Sequence, residues 1–285
     1  MFGFNYDKPG KGVNKRDPNQ SRISIFFELL WRKFWNLCKV NLFHIITSIP
    51  TFIVTVFIMG IFSSPITNRI TADIAEVKEV ILFDLLLRFA FSFIFLVFMG
   101  QGTTTAAYTY TLRNYAREEH TFFFSDWWDY AKSNFRQASV VWVIDLFVVF
   151  TVVTALRFYS NMGGLMHFVS YIVISLALIY TMLHFYVYQL IITFKISIRD
   201  LYKIALYFAF QKTPQNLLML LITTFIHIGI PYMIIILGQN LLLWLIFILA
   251  EILVLPTITG FMINFFIYPQ LEKYIIQGKT EKVND

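Results

Sequence analysis

Along this chain, apolar and polar positions alternate over tens of residues rather than over two or four. Six apolar runs stand out, at 40–62, 80–99, 138–157, 165–194, 214–236 and 240–262. A helix rising 1.5 Å per residue needs about 20 such residues to cross a hydrocarbon core about 30 Å thick. A span in lipid must also satisfy its own backbone hydrogen bonds, so at this length the runs predict helices. The expected fold class is all-α, a polytopic membrane protein with six transmembrane helices. The fourth run is longer than needed, which predicts a tilt or a continuation into the aqueous phase. Only Leu237-Gly238-Gln239 separates the fifth from the sixth, which predicts a tight helical hairpin.

Shorter amphipathic helices are expected before spans 1, 3 and 5. In the first, Ile23, Phe26, Phe27, Leu30, Phe34, Leu37 and Cys38 share a face at helical spacing, against Ser24, Glu28, Arg32 and Asn36. The second sets Trp127, Trp128, Ala131, Phe135 and Ala138 against Asp126, Asp129, Lys132 and Arg136. In the third, Ile198, Leu201, Tyr202, Ala205, Phe208 and Ala209 oppose Arg199, Asp200 and Lys203. An amphipathic helix followed by a transmembrane hairpin thus recurs three times. Such repeats occur in transporters, and basic amphipathic helices also lie flat in the headgroup plane. The expected domains are a polar segment 1–20, one membrane domain 21–275 and a polar tail 276–285.

Composition agrees with a membrane solvent, since 58% of the 285 residues are apolar and only 14% charged, against about 25% charged in an average soluble domain. The positive charges are unevenly placed. Segments 1–39, 100–137, 195–213 and the tail carry eight, four, four and three Lys or Arg, nineteen of the 23. With six spans, all of these fall on one side, which the positive-inside rule makes cytoplasmic, together with both termini. The net charge of +6 is therefore a topology signal facing anionic lipid, and no nucleic-acid partner is expected. A single cysteine, Cys38, and five scattered histidines match no metal or redox spacing. No cofactor, metal or catalytic residue is expected, and an enzyme is not expected, because no nucleophile–base arrangement or phosphate-binding loop is present.

Charges within spans are costly and mark candidate sites. Asp84 and Arg88 are four apart and can pair on one helix. Asp145 and Glu251 have no cation at helical spacing in their own spans, so each must pair across helices, hold a proton or face water. One reading is a coupling-ion or solute site around Asp145 and Glu251, with Arg88 as counter-charge. The other is an interhelical bond that fixes packing. His44, His184 and His227 read as helix-to-helix hydrogen bonders. Pro50, Pro231 and Pro256 lie within spans, where each removes a backbone bond.

Block 108–137 is dense in other chemistry. Arg113, Arg117, Glu118, Glu119 and His120 are expected to continue helically from span two, ahead of the Asp126-Trp127-Trp128 helix. Arg113, Arg117, Glu118, Glu119, Asp126, Trp127 and Trp128 are a candidate partner-docking surface, with tryptophan anchors inside a charged rim. The same tryptophans also suit an interfacial aromatic belt.

The opening Phe4-Asn5-Tyr6-Asp7-Lys8-Pro9-Gly10-Lys11-Gly12-Val13, with Phe26-Phe27-Glu28, Arg32-Lys33-Phe34-Trp35-Asn36-Leu37, Asn41-Leu42 and Ile49-Pro50, resembles the YesL-like family of bacterial membrane proteins. So does Tyr110-Thr111-Leu112-Arg113-Asn114-Tyr115-Ala116-Arg117-Glu118-Glu119-His120, running on into Ser125-Asp126-Trp127. The chain departs from the family at Gly100-Gln101-Gly102-Thr103-Thr104, where a Gly-Pro pair is usual. The family has no assigned biochemical activity. Its resemblance implies a bacterial plasma-membrane protein linked by association to oligosaccharide import, with permease or ATPase subunits of a carbohydrate importer as partners. Three functions follow as expectations, in this order: an accessory component of carbohydrate uptake, an autonomous small-solute transporter working as a homo-oligomer, and a structural or lipid-organising protein.

Overall fold

The computed structural model describes residues 20–70, 77–238 and 240–284, and every regular element among them is a helix. The amino-terminal segment through Asn19 (with the Phe4–Val13 block), residues 71–76 of the first interspan loop, and Gln239 of the hairpin lie outside the described residues.

Helix α1 (Arg22–Ile70) merges the first amphipathic helix with the first span in 49 continuous residues. Arg32, Lys33 and Lys39 interrupt the hydropathy but not the helix, because Lys and Arg are good helix formers. At 1.5 Å per residue α1 is about 73 Å long, more than twice a bilayer core. Its first five turns also divide differently from the expected single apolar face. Phe26, Leu29 and Leu37 turn inward, while Ile23, Phe27, Trp31 and Trp35, four residues apart, form an exposed stripe.

Helix α2 (Val77–Met99) does not continue into the next segment as expected. Gly100 and Gly102 take φ of +81° and +66° and break the chain, a conformation only glycine reaches at low cost. Helix α3 (Thr103–Ala116) follows, short and polar in sequence yet enclosed by α1, by α4 (Phe123–Ser133), by α6 (Leu165–Thr193) and by α11 (Leu255–Asn284). Its Ala106, Ala107 and Leu112 are completely buried, and the two small alanines let the neighbours close around it.

Helix α4 turns at Asn134 into α5 (Phe135–Ser160), which pairs with α6. Helix α7 (Ile198–Gln211) is N-capped by Ser197, whose Oγ accepts from the Asp200 N–H. The fifth span is α8 (Thr213–Thr224), a π-helical turn Phe225–Gly229 and α9 (Ile230–Ile236). The hairpin forms as expected: Gly238 takes φ +95°, and Asn240 Oδ1 accepts from the N–H groups of Leu242 and Leu243, capping α10 (Leu241–Leu253).

The sixth span, expected over 240–262 with Pro256 inside it, is two helices. Helix α10 stops at Leu253 and α11 sets off at 50° to it, running through the segment read as a tail to Asn284. Among the described residues, Arg22–Ile61, Glu79–Met99, Phe135–Ser160, Leu165–Thr193 and Thr213–Ile236 are each long and apolar enough to cross a membrane. The bent α10–α11 pair makes a sixth. The protein is an all-α, multi-pass membrane protein.

Candidate functional site

Both helix breaks have dedicated supports. At the α10–α11 break, Asn41 of α1 donates through Nδ2 to the carbonyls of Glu251 (3.0 Å) and Ile252 (2.8 Å). Its Oδ1 accepts from the Thr257 hydroxyl at 2.8 Å, so one buried asparagine satisfies groups on both sides of the bend. At the α2–α3 break, the Gly102 N–H donates to Tyr188 Oη of α6 at 3.2 Å, and the Gln101 N–H donates to Thr105 Oγ1. Buried backbone groups need such partners wherever the helical ladder stops.

The two breaks face each other across a polar cavity of about 80 Å³, bordered by Gly100 on one side and Pro256 on the other. That is room for a few waters. His44, Tyr108, His184, Gln189, Thr259 and Asn264 line it. Tyr108 crosses from α3 to donate to the Pro256 carbonyl at 2.8 Å, and the His44 ring stacks on it at 4.4 Å. Gly260 makes this crossing fit, since a Cβ there would sit 2.5 Å from Tyr108 Oη. Gln189 donates to Asn264 Oδ1, while its own Oε1 has no partner among the described residues.

A carboxylate–histidine pair backs each side of the cavity. Asp145 of α5 is completely buried; its Oδ1 is 3.0 Å from His184 Nε2 and accepts from Tyr180 Oη at 2.5 Å. Tyr180 gives its one hydrogen to Asp145, so the 3.4 Å contact with Tyr202 Oη is a donation from Tyr202 of α7. Burial, and then the Asp145 charge, raise the Tyr202 hydroxyl above the ordinary tyrosine pKa. Asp145 Oδ2 has no partner among the described residues.

On the other side, Glu251 Oε1 and Oε2 lie 2.9 and 3.1 Å from His227 Nδ1, and His227 Nε2 lies 3.1 Å from Thr259 Oγ1 at the cavity wall. His227 sits in the π-helical turn, where the extra residue re-aims a side chain. The Thr259 hydroxyl also lies 3.0 Å from the Pro256 carbonyl, and it has one hydrogen to give. Given to Pro256, it leaves the Thr259 oxygen to accept from His227 Nε2; given to His227, it donates to Nε2. Rotation of a single hydroxyl thus exchanges the two arrangements.

Asp145 thus reaches the cavity through His184, and Glu251 through His227 and then Thr259, each acid paired across helices. Asp84 and Arg88 do not join them. Arg88 Nη2 lies 2.5 Å from Asp84 Oδ2, and its guanidinium packs over Gly60, so Arg88 is not the counter-charge of either buried acid.

Most of the expected docking set faces inward or is engaged within the chain. Trp127 is completely buried against Phe43, Phe123 and His44. Arg113 is buried, donates to Thr193 Oγ1 at 3.0 Å and lies between the Tyr110 and Tyr268 rings; burial lowers its pKa from the ordinary arginine value. Arg117 binds Tyr268 Oη, Glu119 and Glu272, and Glu118 pairs with Arg32 at 2.7 Å. Asp126 accepts from the Phe122 N–H and is partly buried, and Trp128 is half exposed. These contacts tie α3 to α1 and α11.

His184 and His227 are the helix-to-helix hydrogen bonders expected from the sequence, though their pairing with Asp145 and Glu251 was not assigned there; the roles of Tyr180, Thr259 and Asn41 were missed. A signal for the α6 group was present, because Tyr180, His184 and Tyr188 recur every four residues in an apolar run. The Thr259 and Asn41 roles depend on the bend at Val254, which hydropathy does not mark.

With this geometry in place, the family described as "Protein of unknown function, DUF624" matches residues 83–156. To that extent the chain is similar to a family of unknown function. The matched stretch holds most of α2, the α2–α3 break, α3, α4 and Asp145. No curated protein and no solved structure matches the chain.

Proposed function

We propose that this protein is a carrier, rather than an enzyme, that moves a small polar solute across the bacterial plasma membrane through the cavity between its two helix breaks. One observation carries the reading: both breaks open on the same polar cavity, and each wall is backed by a buried carboxylate–histidine pair. Discontinuous helices expose backbone polar groups at a site and supply hinges for alternating access. Intramembrane acid–histidine chains are the usual means of coupling protons to transport. The Thr259 hydroxyl can turn from the Pro256 carbonyl to His227 without moving a heavy atom, which suits a coupling group.

The accessory role in carbohydrate uptake implied by the YesL-like resemblance calls for an exposed anchor. Burial of Trp127 and Arg113 supports it less well, because those anchors hold the fold together. Copurification of importer permease or ATPase subunits in near-equal amounts would favour the accessory role instead.

The deciding experiment reconstitutes the full chain in liposomes under an inward proton gradient and records charge movement and internal pH. Hexoses, disaccharides, amino acids and methylammonium serve as separate probes. One class is expected to drive proton movement, and Asp145→Asn and Glu251→Gln are expected to abolish it while leaving helix content unchanged. Proton permeability equal to that of empty liposomes with every probe, or movement untouched by both substitutions, overturns the reading.

A further inference from the structure

A second concavity lies outside the cavity just described, on the bilayer-facing surface. Helix α10 has only 13 residues and ends where the chain bends away. Helix α1 runs straight past that level, and α4 leans on α1 through Phe123 and Trp127 against Phe43. The three elements diverge and leave a groove of about 780 Å³. Its walls are apolar: Leu42 and Ile46 of α1, Phe124 of α4, and Ile246, Leu249 and Ala250 of α10. One cation stands on the rim. The Lys39 ammonium lies 4.4 and 4.8 Å from the Phe123 and Phe124 ring centroids, and no carboxylate pairs with it among the described residues. Trp35, on the same rim, is 81% exposed.

We propose that this groove binds an anionic phospholipid, with its acyl chains along α1 and α10 and its phosphate on Lys39. The argument is complementarity at both ends of one molecule. An apolar wedge open to the bilayer has no water to fill it and is matched by hydrocarbon. An exposed lysine without an acidic neighbour, held over two aromatic rings beside a tryptophan, is matched by a headgroup anion. A basic residue beside a gap between membrane helices is the usual form of headgroup recognition. The site is independent of the proposed transport, since none of its residues lines the polar cavity.

The chain supplies its own probe, because Cys38, the one cysteine in the sequence, lines this groove. The full-length protein is placed in nanodiscs of phosphatidylcholine, alone or mixed with phosphatidylglycerol, and Cys38 alkylation by N-ethylmaleimide is timed. Native mass spectrometry of the released protein counts retained lipid. Phosphatidylglycerol is expected to slow alkylation and to stay bound. Lys39→Gln is expected to weaken retention about five-fold, the factor for one lysine near an anionic lipid surface, and to remove the difference between the two lipid compositions. Lys39→Arg should preserve both effects, and Arg136→Gln, at an exposed cation of α5, should change neither. Ala250→Phe, which fills the groove while keeping Lys39, should release the lipid. Equal alkylation in both compositions, or equal retention by wild type and Lys39→Gln, overturns the proposal. Protection that follows protein concentration rather than phosphatidylglycerol overturns it in favour of a second copy covering the groove.

Discussion

At the scale of residues, His227 connects a buried acid to the cavity, and its two nitrogens face different partners. Glu251 has no other side-chain donor among the described residues, so removing the imidazole strands a carboxylate in the interior. Stranding an ionised group costs about 3–5 kcal/mol, whereas Glu251→Gln trades a charge-assisted bond for a neutral one and costs about 1 kcal/mol. His227→Ala is therefore expected to lower unfolding stability in mixed micelles by several-fold more than Glu251→Gln. The double variant should fall well short of the sum, with a coupling of at least about 1.5 kcal/mol. Additivity within about 0.5 kcal/mol would mean that the two side chains do not interact. The sequence made Asp145 and Glu251 legible as costly charges, because the expense of a carboxylate in lipid does not depend on the fold. Their partners were not legible, since His184 and His227 are 39 and 24 residues away and meet them only through helix packing.

At the scale of elements, hydropathy located the spans well and their continuity poorly. Lys39 lowers the hydropathy without ending α1, and Val254 sits in an apolar run yet ends α10. Helix α3 was legible as helix but not as interior, because its enclosure comes from Ala106, Ala107 and Gly260 allowing α1, α6 and α11 to approach. That close approach can be tested. A methyl at Gly260 would meet Tyr108 Oη at 2.5 Å and Leu112 Cδ1 at 2.9 Å, so α3 and α11 must separate or Tyr108 must release the Pro256 carbonyl. Overpacking of this kind costs about 1–3 kcal/mol, and the lost hydrogen bond about 1 kcal/mol. Gly260→Ala is expected to lower the unfolding midpoint accordingly. In a Tyr108→Phe background, where the obstructing hydroxyl is gone, the same change should cost less. An equal cost in both backgrounds would place the contact elsewhere.

At the scale of the whole molecule, the basic segments gather at one end, as contacts between distant parts of the chain require. Arg22 donates to the Phe265 carbonyl, Arg117 pairs with Glu272 and Gln137 donates to the Ile196 carbonyl, which brings the starts of α1 and α5, the end of α3, the middle of α11 and the α6–α7 turn together. Helix α1 is long enough to carry that end well beyond a bilayer core. The Trp31 and Trp35 stripe then stands where aromatic side chains favour headgroups. Charge asymmetry predicts a cytoplasmic side for this end, and one comparison tests the expectation. In a Cys38→Ser background, cysteine is placed at Gly163, where an added side chain meets open space, or at exposed Gln211, the last residue of α7. A membrane-impermeant maleimide on intact cells should label the first position fully and reach the second only after permeabilisation. The opposite pattern would invert the protein, place the Lys39 rim in the outer leaflet and reverse the direction of the proton gradient that the Asp145 and Glu251 pairs would use.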